Sequence, residues 1–393
     1  MKSPSGTSTS RTLLARGAAV GATTAAASGL GSLAAAAVFA RAVLTPDRNR
    51  PDDTMVRSVE PGRVTLGVTA DCVVPGHYGL WLAGGAGHAR IGELLDVDES
   101  TRTVTRAVLG VDRGELTVGS ARWNNYYFGL PPDKSINAHT EFVNYATELG
   151  HMPAWVVPPE DGVVGERWAV LVHGRGARRE ETIRAMPTLR RQGWTCLTPH
   201  YRNDLGVPKG PGGRYNLGLS EWRDIESAMR YAVARGAREI LLVGWSMGGA
   251  IVMQVLDRSD LAGLVTGVVL DAPVLDWANV LDFHARRNHL PPALSALART
   301  MMGRTWGRHL VGIHDVLDVA ATDWVRRSAE LRHPMLIIHS AEDEFVPVGP
   351  SRRLAQARPD LVTFEEWQVA RHCKEWNVDP VRWANAVGAF VSR

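Results

Sequence analysis

From about residue 146 onward, short apolar runs alternate with stretches whose apolar positions recur every three or four residues. The runs at 168–173, 195–199, 240–244, 266–270, 334–339 and 362–369 are nearly continuous in apolar residues, as expected of strands buried on both faces of a parallel sheet. Between them, the stretch 220–235 sets Trp222, Ile225, Met229, Tyr231 and Val233 at helical positions, and 379–391 closes the chain with another such pattern. Alternation of this kind predicts an α/β fold, doubly wound around a mostly parallel sheet, over residues 146–393. Between the strands at 266–270 and 334–339 lie two helical patterns, 277–287 and 291–302, read as a helical cap at about 276–333. Within it Trp306, Leu310, Val311 and Ile313 are expected to pack the cap down, with lining a pocket as the alternative, and the Met301-Met302 pair is read as core filler.

The pattern upstream is shorter in period. Strand-like segments at 63–66, 79–82, 89–91 and 103–105 are separated by Gly84-Gly85, Asp98-Glu99-Ser100 and Asp112-Arg113-Gly114. They predict a small antiparallel β module within 56–145, which has no metal-ligand cluster or phosphate loop and so is expected to pack or to frame a substrate. Ahead of it, 17–40 has no charged residue and is long enough to cross a bilayer as a helix. Lys2, Arg11 and Arg16 precede this segment, while Arg41, Arg48 and Arg50 follow it, so the flanks set no orientation. Residues 1–45 are therefore expected to form a single-pass membrane anchor, making the protein membrane-anchored. A cleaved signal segment, with secretion, and an Ala-rich extension of a cytoplasmic protein are the alternatives.

Composition narrows the classes of partner. The chain has 393 residues, 45% hydrophobic and 22% charged, with a net charge of +3. That mixture suits a folded globular protein and gives no basic face for nucleic acid. Cys72, Cys196 and Cys373 are odd in number and far apart, which excludes a disulfide framework or a zinc knuckle.

The strand pattern ending at Val243 runs into Gly244-Trp245-Ser246-Met247-Gly248-Gly249, and a helical pattern follows at once. A G-x-S-x-G turn between strand and helix exposes the serine hydroxyl on a sharp, strained bend and keeps side chains off the neighbouring backbone. A serine of ordinary acidity needs a general base and an acid to orient it, in the chain order Ser, acid, His for this architecture. His372 lies just past the last apolar strand, at the carboxyl edge of the sheet where ligands bind. His339 also ends a strand but precedes the acid, and is read as structural. For the acid, Asp343 in Glu342-Asp343-Glu344-Phe345-Val346-Pro347 is preferred, with Glu342 and Glu344 as neighbours and Asp271 as rival.

Taken with His173-Gly174-Arg175-Gly176, these motifs resemble the α/β-hydrolase superfamily, in its serine esterase, lipase and prolyl-oligopeptidase-like branch, over about residues 152–393. The resemblance implies two oxyanion donors, the backbone N–H groups of Arg175 and Met247, and a triad of Ser246, Asp343 and His372. Relatives often carry Gly or an apolar residue where this chain has Arg175, Arg178 and Arg179, which places guanidinium groups near the mouth of the site. Arg178 and Arg179 are read as solvated, with contact to an anionic substrate group as the alternative. The expected activity is hydrolysis of a small-molecule carboxylic ester through an acyl-enzyme, with peptide or acyl-peptide hydrolysis and acyl transfer as alternatives. A non-catalytic hydrolase-fold binding protein is the alternative from another class. No metal or organic cofactor is expected.

Overall fold

The computed structural model describes residues 31–46 and 50–393. The short N-terminal strands β1 (Thr54–Glu60), β2 (Arg63–Gly67), β3 (Tyr78–Leu82), β4 (Gly87–Asp98), β5 (Thr103–Arg113) and β6 (Gly119–Asn124) close into a barrel in the order β1-β2-β5-β4-β3-β6. Closure leaves no edge strand, and alternate residues such as Val64, Leu66, Leu80, Ala89, Ile91 and Val104 fill the interior. Arg106 is fully buried there. Its guanidinium lies 5.2 Å from the Trp123 ring centre and donates to the carbonyls of Cys72, Val74, Gly76 and Gly92, so no donor it uses is left to water.

The apolar runs downstream form an eight-stranded sheet of β7 (Glu141–Thr147), β8 (Gly150–Val157), β9 (Arg167–Val172), β10 (Thr195–Pro199), β11 (Glu239–Trp245), β12 (Val265–Asp271), β13 (Met335–Ser340) and β14 (Val362–Trp367). Their order is β14-β13-β12-β11-β9-β10-β8-β7, parallel from β14 to β10, with β8 and β7 antiparallel at one edge. The first of these strands, β7, lies in the span expected for the β module. It pairs with β8 instead, across a tight turn at Glu148-Leu149.

Helices cover both faces: α3 (Met186–Arg191), α4 (Trp222–Ala234), α5 (Met247–Arg258), α9 (Gly349–Ala357) and α11 (Pro380–Val391), with one-turn pieces α2 (Pro132–Ser135) and α10 (Glu375–Val378). Two buried apolar clusters result, one on each side of the sheet's central strands: Val170, Leu242 and Val268 belong to one, and Leu171, Val243 and Val269 to the other. The insertion after β12 folds as α6 (Trp277–Arg287), α7 (Pro292–Met302) and α8 (Thr305–Val311). Met301, Met302, Val311 and Ile313 are buried in it, while Trp306 and Leu310 are half exposed.

The expected membrane anchor is corrected by the structure. Residues 17–30 of that segment lie outside the described residues. Residues 31–44 form a helix, α1, and among the described residues no helix is long and apolar enough to cross a membrane. The reason α1 is apolar is visible in its contacts: Ala36, Ala40 and Leu44, spaced by four, form one stripe that is fully buried in the main core. Its C-terminal carbonyls, which no helix can satisfy internally, are taken by the α/β domain. Arg175 donates to Val43 O at 2.7 Å, Ala42 O at 3.0 Å and Thr45 O at 2.6 Å, and the Tyr215 amide donates to Leu44 O at 2.9 Å. Arg41 in turn donates to Val311 O of α8 at 3.2 Å. The membrane-anchored placement drawn from this segment falls with it.

Candidate active site

The turn that carries Ser246 is built by glycine. Ser246 sits between β11 and α5 with φ 51° and ψ −117°, a left-handed conformation that costs a non-glycine residue of order 1–3 kcal/mol. A Cβ at Gly248 would lie 2.1 Å from Val172 O, and one at Gly244 would lie 2.7 Å from the Gly248 carbonyl. Both positions therefore exclude any side chain. The bend is held by Ser246 N donating to Asp271 O at 3.0 Å and by Val274 N donating to Ser246 O at 3.1 Å.

His372 Nε2 lies 2.9 Å from Ser246 Oγ, and His372 Nδ1 lies 2.7 Å from Asp343 Oδ2. With Nδ1–H donating to the carboxylate, Nε2 is the lone-pair nitrogen facing the serine hydroxyl. Asp343 Oδ1 accepts the amides of Phe345 and Val346, each at 2.8 Å, which fixes the carboxylate. Burial would raise the pKa of Asp343, but the His372 charge and the His339 and His372 hydrogen bonds hold it well below the ordinary carboxylate range. For His372, burial pushes the pKa down and the Asp343 carboxylate more than reverses this, leaving it raised.

The other sequence candidates fall elsewhere. Asp271 is engaged elsewhere, its carboxylate accepting Trp383 Nε1–H at 2.8 Å. Glu344 Oε2 accepts the His372 backbone amide at 3.3 Å, so it holds the loop rather than the ring. Glu342 is exposed, its amide donating to Ser340 Oγ. His339 is completely buried and does more than end a strand: its Nε2–H faces Asp343 Oδ2 at 3.1 Å and Val346 O at 3.0 Å, with Nδ1 on the Ser351 hydroxyl at 2.8 Å.

The His173-Gly174-Arg175 loop packs directly on the serine, since a Cβ at Gly174 would lie 3.2 Å from Ser246 Cβ. Gly174 N donates to Glu181 Oε2 at 2.8 Å, Gly176 N to Tyr215 Oη at 3.1 Å, Ala177 N to Gly174 O at 3.2 Å and Arg178 N to Tyr126 Oη at 2.9 Å. Those four amides hold the loop's shape. Met247 N heads α5, where no intrahelical acceptor exists. Glu181, Tyr126, Asn125 and Tyr215 are thus parts of the site's frame that sequence reasoning did not select. Glu181 sits in the charged run Arg178-Arg179-Glu180-Glu181, which looks like solvated surface, yet it is buried and accepts Asn125 Nδ2–H from just beyond the barrel.

The barrel also holds the His372 loop. Asp71 pairs with Arg371 at 2.9 Å and with Lys374 at 2.8 Å, on either side of His372-Cys373, and His77 N donates to Asn377 O at 2.9 Å. On the cap side, His284 of α6 donates to Phe345 O at 2.9 Å, and the Phe345 ring lies 5.6 Å from that of His372. Cys373 is buried beside the imidazole, and burial holds its thiol well above its ordinary pKa, in the protonated, unreactive form.

One group of side chains has the composition of a metal site, His173, His200 and Asp204. Its hydrogen bonds argue otherwise. His173 Nδ1 faces Gly174 O at 3.0 Å and Nε2 faces Asp204 Oδ2 at 2.9 Å, so both nitrogens donate and neither offers a lone pair. Burial acts against the charged ring, but Asp204 outweighs it and raises the His173 pKa. The buried imidazolium–carboxylate pair anchors the start of the loop that packs on Ser246.

An open, mostly parallel sheet with a strained serine at the tip of a central strand, followed by an acid loop and a late histidine, defines an α/β-hydrolase architecture. Comparison of the sequence with known families agrees: the chain belongs to the alpha/beta hydrolase family, whose model matches residues 169–386, more than half of its length. Residues 55–124, the barrel, match a domain family of unknown function. No curated protein matches the chain. Among solved structures, an esterase from Pyrococcus furiosus is similar in two crystal forms, at 17% identity and TM-score 0.50, over 66% of this chain and 93% or 95% of the esterase. The esterase domain of a Rhodothermus marinus protein is similar at 19% identity and TM-score 0.44, over 64% of this chain and 97% of that one. At such identities the likeness is one of fold.

Proposed function

We propose that this hydrolase acts on a carboxylic ester through Ser246, His372 and Asp343. The observation that carries the reading is the continuous hydrogen-bonded line from Ser246 Oγ through both nitrogens of His372 to Asp343, at 2.9 and 2.7 Å, ending on a serine in the strained conformation. His372 Nε2 takes the proton as Ser246 Oγ bonds to the ester carbonyl carbon. The backbone N–H groups of Arg175 and Met247 receive the oxyanion; a single such donor contributes about 3–4 kcal/mol in well-studied hydrolases. The imidazolium gives its proton to the departing alcohol, leaving the acyl group on Ser246. Water then attacks with His372 as base, the Ser246 Oγ–acyl bond breaks as the imidazolium returns the proton to Oγ, and the acid product leaves. Asp343 stays ionised throughout, which its depressed pKa supports.

The test is a rapid-mixing time course with p-nitrophenyl esters of increasing acyl length, paired with intact-protein mass. A release burst equal to the enzyme concentration and a one-acyl mass gain located to Ser246 are expected. Steady turnover by a Ser246→Ala variant at the parent rate would overturn the assignment.

A further inference from the structure

A cavity of about 90 Å³ opens where the barrel meets the α/β domain. One wall is the loop that packs on Ser246, through Gly176 and Ala177, and the barrel supplies Trp81, Arg122 and Asn124. Arg50 and Arg178 complete a ring of three guanidinium-bearing residues drawn from three separate stretches of chain.

Among the described residues, two of these cations have no countercharge. Arg122 donates to Arg50 O at 2.6 Å, and Arg178 lies 5.3 Å from the Trp81 ring centre; neither has a carboxylate partner among the described residues. Arg202, by contrast, is paired with the carboxylate of Asp224 at 2.8 Å. The carboxylate that does line the cavity, Asp204, is neutralised from behind by His173 and His200. Its Oδ1 is buried and has no hydrogen-bond partner, which is costly unless something in the cavity donates to it. The guanidinium forks of Arg122 and Arg178, beside an aromatic face, suit a carboxylate or phosphate group, and the buried Oδ1 suits a hydroxyl or amide on the same molecule.

We propose that this cavity is a subsite for an anionic group, carboxylate or phosphate, on the molecule whose ester Ser246 attacks. The inference rests on the esterase reading above and involves the barrel in substrate choice, as one wall of the specificity pocket. The shared loop links the two sites, since Gly174 abuts the serine and Gly176 and Ala177 line the cavity.

The test uses the full chain and three p-nitrophenyl esters: hydrogen glutarate, its methyl-capped neutral form, and 4-phosphonobutanoate. The quantity read is kcat/KM for each acid divided by kcat/KM for the neutral ester. A ratio of about tenfold or more is expected for at least one acid, from one or two charge-assisted hydrogen bonds. Whichever acid gives the larger ratio identifies the anion. The ratio should fall toward one in Arg122→Gln and in Arg178→Gln, each confirmed folded by circular dichroism, and hold in Arg326→Gln, a surface arginine outside the cavity. Parent ratios near one for both acids would overturn the proposal, as would equal ratios in parent and both cavity variants.

Failure of the esterase reading is separable. Calorimetric titration of Ser246→Ala with glutarate and with inorganic phosphate reports the subsite without turnover. Saturable binding that Arg122→Gln abolishes supports it even if no ester is cleaved, and absence of binding by both anions counts against it.

Discussion

Replacing Leu44 by alanine tests whether α1 belongs to the catalytic fold. Leu44 is fully buried, at the end of the Ala36–Ala40–Leu44 stripe, in the same core as the sheet strands β9, β11 and β12. Deleting a buried leucine side chain removes its transfer energy and leaves a cavity that neighbours fill only partly, at a cost of about 2–5 kcal/mol. The alanines of the stripe allow close packing with little room to relax, which argues for a value of about 3 kcal/mol in urea unfolding followed by tryptophan fluorescence. A second effect is expected on turnover. The carbonyls of Ala42, Val43 and Thr45 grip the Arg175 side chain, and the Arg175 amide is assigned to the oxyanion. Loosening the helix end should therefore lower kcat on a neutral ester more than it changes KM. Arg175→Met, which keeps the amide and removes the grip, should reproduce the kcat loss with a smaller stability change, about 1–2 kcal/mol, because the guanidinium is partly solvated. A Leu44→Ala protein within about 0.5 kcal/mol of the parent, with unchanged kcat, would refute the placement of α1 in the core.

Gly248→Ala should abolish accumulation of folded protein or cost about 3 kcal/mol, since its Cβ would overlap Val172 O at 2.1 Å; thermal unfolding reads this. Asp343→Asn should keep the fold and lower kcat by about 10³–10⁴-fold, because the imidazole loses the acceptor that sets its tautomer. The pH profile of kcat/KM on a neutral ester should rise as His372 loses its proton, with a midpoint above the ordinary histidine value of 6.5. A midpoint below that value would contradict the dominance of Asp343 over burial. Asp343 also links pH to stability: its folded pKa is depressed, so its contribution is present above its ordinary value of 3.8 and is lost as pH falls from there through the lower folded value. Asp343→Asn should flatten that acid limb in urea unfolding at about pH 2 to 4.

Much of the sheet could be read from the chain because its central strands are apolar on both sides. Segments such as 195–199 and 277–287 coincide with the elements found, β10 and α6. The β7–β8 hairpin was not legible for the opposite reason. It lies at the sheet's edge, its residues alternate, Phe142 is 64% exposed, and the turn at Glu148-Leu149 has no Asn-Gly or Asp-Gly signal. The run at 17–40 is apolar whether it meets lipid or protein; what separates the two is the docking of 31–44 on Arg175, Tyr215 and Val311, residues more than a hundred positions away. At the site, Ser246, Asp343 and His372 stand in loops that follow strands and carry local motifs, so position alone selects them. Glu181 and His339 act through hydrogen bonds to nearby loop positions, the Gly174 amide and Asp343 Oδ2, which depend on how each loop folds and not on any residue pattern around them.

The most direct test of the central claim is labelling by a fluorophosphonate, which bonds only to a serine whose hydroxyl is activated. Stoichiometric phosphonylation of the full chain is predicted, mapped by peptide mass to Ser246, lost in Ser246→Ala and strongly slowed in His372→Ala. Undiminished labelling of Ser246→Ala, or no labelling of the folded parent, would contradict it.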